Sequence, residues 1–234
     1  MARWLSRWGR FGSVVRAAVI VIVVLVLLPY VIAPFYRFVD PVSTLMLWRW
    51  MTGARVERQW VPIKEISPAL PLAVIVAEDG QFCTHHGIDF SELRQAFREV
   101  DDLSDARGGS TLTQQVAKNL FLWQSRSYVR KILEFPLAMW VDLVLPKRRI
   151  MEIYLNIAEW GPNGEFGAQA AAQRDFGLPA SRLRPSEAAL MTATLPNPHV
   201  RDARKPDPGL RHIAGIHLRR MGIMASRASC LKTR

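Results

Sequence analysis

Acidic residues are scarce in this 234-residue chain: 20 Asp and Glu stand against 31 Lys and Arg, a formal charge of +11. That balance disfavours a cationic partner and favours an anionic one, whether nucleic acid, an anionic lipid surface or a phosphate-bearing substrate. Cysteine is scarcer still. Cys83 and Cys230 make no C-x-x-C and no metal-ligand set, which leaves no cysteine-based metal site to consider. They can pair only if the fold brings them together, and both are expected as free thiols. Strand patterns are nearly absent and no internal repeat is visible, so the chain is expected to be mostly α.

Long apolar runs are missing too, with one exception. Ala17 to Tyr36 is a stretch of 20 uncharged residues dominated by Val, Ile and Leu, and about 20 helical residues cross a hydrocarbon core. Arg3, Arg7, Arg10 and Arg16 precede it with no acid among them. The positive-inside rule then places residues 1–16 in the cytoplasm and everything after Arg37 across the membrane. A cleaved signal peptide is the alternative, but the run is long for one and Pro34-Phe35-Tyr36 is a poor small-residue exit. Residues 17–36 are therefore expected as an uncleaved anchor. Residues 37–64 mix Trp48, Trp50 and Trp60 with Arg49, Arg55 and Arg58. That mixture suits the headgroup layer, and equally an ordinary loop or a packed helix.

Helical periodicity takes over after Pro62. Ser67-Pro68 opens a helix through Ala77, and further helices are predicted over about 90–100, 111–120, 127–145, 147–157, 168–176 and 186–195, with Pro146, Pro185 and Pro196 between them. Asp101 to Gly109 reads as a polar loop. Residues 201–234 form a basic tail, partly helical.

Five segments stand out. Glu78-Asp79-x-x-Phe82-x-x-His85-x-Gly87-x-Asp89 follows an apolar stretch, and Val74 to Ala77 would partly desolvate Glu78, raising its pKa toward that of a general base. A helix end with ordinary surface charges has the same letters. In Gly108 to Asn119, glycines and hydroxyls precede a helix start, which exposes backbone N–H groups at a positive dipole end, a natural phosphate site. Ser110, Thr111, Gln114 and Lys118 add donors along the helix, and Thr111-x-x-Gln114 is also a capping box. No Gly-Lys-Ser/Thr follows the glycines, so this is not a Walker A loop. Arg130-Lys131-x-x-Glu134 contains an i,i+4 pair that alone means only a surface salt bridge. The fourth segment, Lys147 to Asn156 leading to Gly161, is mainly scaffold, with Glu152, Tyr154, Asn156 and Gly161 as structural residues. The fifth, Glu187 to Pro198, also looks structural.

In this order the five segments resemble the peptidoglycan glycosyltransferase domain of family 51. GGSTLTQQVAKNLF is close to a family signature, and RKILE and YLNIAEWG are similarly diagnostic. The resemblance covers about residues 65–200. The short anchor, with no second domain, is similar to the monofunctional branch. Ser229-Cys-Leu-Lys232 matches the S-x-x-K of penicillin-binding nucleophiles, but two residues follow it and the match is read as chance.

The resemblance implies a mainly α, two-lobed, lysozyme-like glycosyltransferase domain with one N-terminal transmembrane helix. It implies polymerisation of lipid II, a disaccharide-pentapeptide on undecaprenyl pyrophosphate. Glu78 would take the proton from an acceptor 4-hydroxyl, whose oxygen displaces the pyrophosphate in line and turns an α-linked donor into a β-1,4 product. The resemblance assigns substrate binding to Asp79, Phe82, His85, Gly109, Ser110, Thr111, Gln114, Gln115, Lys118, Asn119, Arg126, Arg130 and Lys131, with the cations neutralising the leaving group. Glu134 would be a second catalytic carboxylate that orients these cations or helps hold magnesium or manganese; no tightly bound cofactor is expected. The setting implied is the inner membrane, single-pass, with a periplasmic catalytic domain. Lipid II, the nascent glycan strand and candidate division or elongation proteins would be its partners, not nucleic acid, and the phosphoglycolipid moenomycin its inhibitor.

Two other readings compete. A lytic enzyme of lysozyme type shares the cleft glutamate but has no use for a cationic phosphate clamp. A basic membrane scaffold explains the charge and the anchor but leaves the polar motifs idle. The acidic residues Asp101, Asp102 and Asp105 sit oddly beside an anionic substrate and have no assigned role.

Overall fold

The computed structural model describes residues 2–99, 109–125 and 127–232. Arg126 and the acidic stretch 101–107 lie outside the described residues. The apolar run belongs to one long helix, α1 (Ala2–Ile32), continued by a 3-10 segment, Ala33–Arg37. From Ser13 to Arg37 it is long and apolar enough to cross a membrane, and its Val, Ile and Leu side chains point outward without protein cover. The end of α1 is fastened to the domain. Trp140 Nε1 donates to the Tyr30 carbonyl at 2.9 Å, and Tyr36 stacks on Phe121.

The Trp/Arg segment contains a short packed helix, α2 (Thr44–Met51), capped by the buried Ser43 hydroxyl, which accepts from Met46 N. Next comes α3 (Ala69–Glu78), whose residues from Leu70 to Val76 are buried apart from Leu72. A helix apolar on every side is a core helix. The helices α4 (Phe90–Glu99), α5 (Leu112–Phe121), α6 (Tyr128–Val144), α7 (Lys147–Ile157), α8 (Ala168–Phe176), α9 (Pro185–Thr194) and α10 (Pro208–Ile223) follow. α9, α10 and the 3-10 segment Ala225–Leu231 pack against α3, while α5 packs against both α6 and α7. Among the described residues, strand is confined to the parallel pair β1 (Glu57–Arg58) and β2 (Glu165–Phe166).

Scaffold residues tie α7 to the chain before α3. Asn156, fully buried, accepts from Val61 N and donates to Val61 O, both at 2.9 Å. Glu152 accepts from Ile63 N at 2.8 Å. Gly161 is buried, and a Cβ there would press on the Glu165 carboxylate.

The two cysteines are not free thiols. Cys83 and Cys230 form a disulfide across 147 residues, their Cα atoms 5.4 Å apart. The tail folds back over α3 and lays its last segment beside the loop that follows Glu78, where Arg227 also donates to Gln81 Oε1 at 2.5 Å. Spacing along the chain gives no sign of such a long-range approach. The same loop is pressed onto α6: Gly87 has φ +84°, and a Cβ there would lie 2.7 Å from the Ala138 carbonyl oxygen. Only glycine meets both demands.

Candidate active site

Glu78 is the last residue of α3, where the core helix reaches a polar cleft. Its Oε2 accepts a 2.9 Å hydrogen bond from Gln115 Nε2 on α5. The buried Tyr154 hydroxyl on α7 in turn donates to Gln115 Oε1 at 3.4 Å. Burial pushes the Glu78 carboxyl above its ordinary range. Gln115 and the Lys118 charge oppose that rise, and the neighbouring Asp79 adds to it. A carboxylate with raised proton affinity and a neutral hydrogen-bond partner is suited to general-base work.

The cations gather around a second carboxylate. Glu134, 2% exposed, accepts from Arg130 and, at 2.8 Å, from Lys131. Lys131 also donates to Ser110 Oγ at 2.9 Å. Lys118, one turn along α5 from Gln115, is half-buried and has no hydrogen-bond acceptor among the described residues. Burial lowers its ammonium pKa; the largest opposing effect is the Glu134 charge, while Arg130 and Lys131 press it further down. An ammonium ion held beside two other cations and given no acceptor of its own is poised for an anionic ligand.

Several sequence assignments change place. The start of α5 is not an open phosphate site. Leu112 N donates to Asp79 Oδ2 at 2.9 Å, Gln114 N to Thr111 Oγ1, and Thr111 N to Gln114 Oε1. The protein's own carboxylate and capping box therefore occupy the positive helix end. Thr111 and Gln114 are 2% and 1% exposed, and Thr111 Oγ1 donates to the Gly87 carbonyl. Asp79 is also 2.9 Å from His85 Nε2, and buried Phe82 lies under the Lys147 ammonium. Asp79, Phe82, His85, Thr111 and Gln114 thus make contacts that hold the loop, α5 and α7 together.

The open side of α5 is Gln115, Lys118 and Asn119, with Gly109 and Ser110 half-buried at its start. Glu134 does not fit a divalent ion in this arrangement, because both its oxygens already face cations. Among the described residues, no three His, Cys, Asp or Glu side chains converge.

Gln115, Lys118 and Asn119 line one side of a cavity of about 170 Å³. Its other walls come from Ser43 and Leu45 before and within α2, Tyr154 and Ile157 on α7, Glu159, and Leu195.

The family model described as Transglycosylase matches residues 46–222. The chain belongs to this family. It is similar to the biosynthetic peptidoglycan transglycosylase of Rhodopseudomonas palustris (strain HaA2), 56% identical over 88% of this chain and 91% of that protein. Those of Rhizobium etli and Mesorhizobium japonicum are 50% and 48% identical, over 92% of both chains and over 98% and 96%.

In this transglycosylase, sequence reasoning passes over the Glu159 wall. Arg49 Nη2 donates to Glu159 Oε1 at 2.5 Å, and His199 Nε2 lies 3.4 Å from Oε2. Arg49 is 110 residues away in the chain. The local signals are its place in YLNIAEWG and its position two residues beyond the buried, apolar end of α7.

Proposed function

We propose that this chain is a peptidoglycan glycosyltransferase that polymerises lipid II into β-1,4-linked glycan and releases undecaprenyl pyrophosphate. The observation that carries the proposal is Glu78, a half-buried carboxylate of raised proton affinity hydrogen-bonded to Gln115, next to an ammonium group with no acceptor among the described residues. Glu78 takes the acceptor hydroxyl proton as that oxygen attacks C1. Pyrophosphate is a weak base, so it needs charge neutralisation more than a proton, and Lys118, Arg130 and Lys131 supply positive charge. Glu134 spaces and aims Arg130 and Lys131. The two-lobed, lysozyme-like form is part of this reading.

A single-pass setting with the catalytic domain in the periplasm accounts for three further features. α1 carries an exposed apolar run preceded by arginines. The disulfide suits an oxidising compartment. Val129, Ile132, Met139 and Leu143 leave an exposed apolar stripe along α6, the helix to which α1 is fastened, and Trp48, Trp50 and Met51 leave another on α2. An apolar shelf beside a membrane span fits a domain seated on the bilayer, where its lipid-linked substrate lies.

Incubation of purified protein with labelled lipid II tests this directly. Polymer supports it, cleavage of preformed glycan identifies a lytic enzyme, and no reaction leaves the scaffold reading.

A further inference from the structure

The cavity beside Glu78 has a wall for which the reaction just described has no use. Glu159 contributes a carboxylate to it, held by Arg49 from α2 and faced by His199. Arg49 is itself fixed, donating to the Arg55 carbonyl at 3.2 Å and lying over the Phe166 ring. Separate stretches of chain thus converge to present one acid in a site otherwise built for an anionic substrate.

That acid, already paired with Arg49, has no positive charge to spare for phosphate, so this wall does not hold the leaving group, while the remaining lone pairs on its oxygens can still accept hydrogen bonds. What it suits is a neutral ligand with O–H and N–H donors. The rest of the cavity agrees. The Asn119 amide and the Tyr154 hydroxyl offer further polar groups, and Leu45 and Leu195 offer apolar surface. Its volume, about 170 Å³, is close to that of a cavity of about 150 Å³ that takes up benzene, room for one six-membered ring. The cavity is also lined by Gln115, the residue that donates to Glu78, so its occupant lies one side chain from the base.

We propose that Glu159, held by Arg49, is a sugar-recognition residue that accepts hydrogen bonds from the hydroxyl or acetamido N–H of one N-acetylhexosamine ring adjacent to the bond being formed. This rests on the lipid II reading above. The ring has two candidate sources, the incoming lipid II and the growing strand.

The test compares Glu159→Gln, Glu159→Ala and the cavity-narrowing Leu195→Phe with the unaltered protein, using lipid II in detergent. Glu159→Gln keeps a neutral partner for Arg49 should the alanine variant unfold, and Leu195→Phe leaves the ion pair intact. Losing a hydrogen bond to a charged group predicts about a tenfold effect. A rise of that size in KM with kcat retained assigns the ring to incoming lipid II. An unchanged KM with markedly shorter strands assigns it to the growing strand. Either result supports the proposal, provided inhibition by inorganic pyrophosphate, which reads the Lys118 side, stays as in the unaltered protein. Unchanged KM and strand length in Glu159→Gln and Leu195→Phe overturn it. Absence of polymer from the unaltered protein overturns the lipid II reading, and the sugar assignment with it.

Discussion

Glu78 and Glu134 are both carboxylates whose charge acts on Lys118, yet their neighbours treat them in opposite ways. Glu134 meets Arg130 and Lys131, one on each oxygen. Glu78 meets the neutral amide of Gln115, at the end of the most apolar helix of the domain. The first arrangement spends a carboxylate on aiming cations. The second leaves a carboxylate that is costly to keep charged and so binds a proton more readily. Different surroundings give two carboxylates different tasks, here a base and a cation organiser.

Replacing the base should break this contrast most severely. Glu78→Gln keeps shape but removes the proton acceptor, and polymerisation in a labelled lipid II assay should fall by about 10²–10⁴. Near-normal turnover would remove Glu78 from its role.

The two acids also differ in what holds their surroundings. Glu134 is fixed by partners on its own helix, whereas the loop after Glu78 is tied to the tail through Cys83–Cys230. Cys83→Ser should therefore destabilise the domain by about 2–5 kcal/mol, read as a lower midpoint in thermal or denaturant unfolding. An unchanged midpoint would mean that the tail packs as firmly without the bond.

On the cation side, Lys118→Ala should weaken inhibition by inorganic pyrophosphate and by moenomycin about tenfold or more, the typical worth of a charge-assisted hydrogen bond. Equal inhibition would place the leaving group elsewhere.

The smallest expected effect is a shift in pH. A base works only when deprotonated, so the rate falls as pH drops through the Glu78 pKa, which burial has raised. The Gln115 hydrogen bond lowers that pKa, so Gln115→Leu should raise it further and move the acid limb of the pH–rate profile to higher pH. Movement to lower pH would contradict the assignment.

Local signals make much of the fold legible in the sequence. The boundaries of α7 and α8 match their predicted spans because apolar periodicity and flanking Pro and Gly mark both ends. The α2 helix is ambiguous in the sequence, since Trp and Arg composition suits a headgroup layer as well as a packed helix. In the site, neighbouring glutamines look alike as letters. Gln114 turns inward to the Thr111 capping box and Gln115 turns to Glu78, and packing alone separates them. The helix start reads as a phosphate site because the residue that caps it, Asp79, lies 33 positions away and leaves no mark on the local pattern. The Cys83–Cys230 bond and the Arg49–Glu159 pair are hidden in the same way, by contacts between residues more than a hundred apart.

The division of labour between the two carboxylates is tested most directly by titrating moenomycin into Glu78→Gln and Glu134→Gln and measuring lipid II turnover of each. Glu78→Gln should lose turnover while binding the inhibitor as the unaltered protein does. Glu134→Gln, with Arg130 and Lys131 no longer aimed, should bind it more weakly. Inhibitor affinity lost in Glu78→Gln and kept in Glu134→Gln would contradict the account.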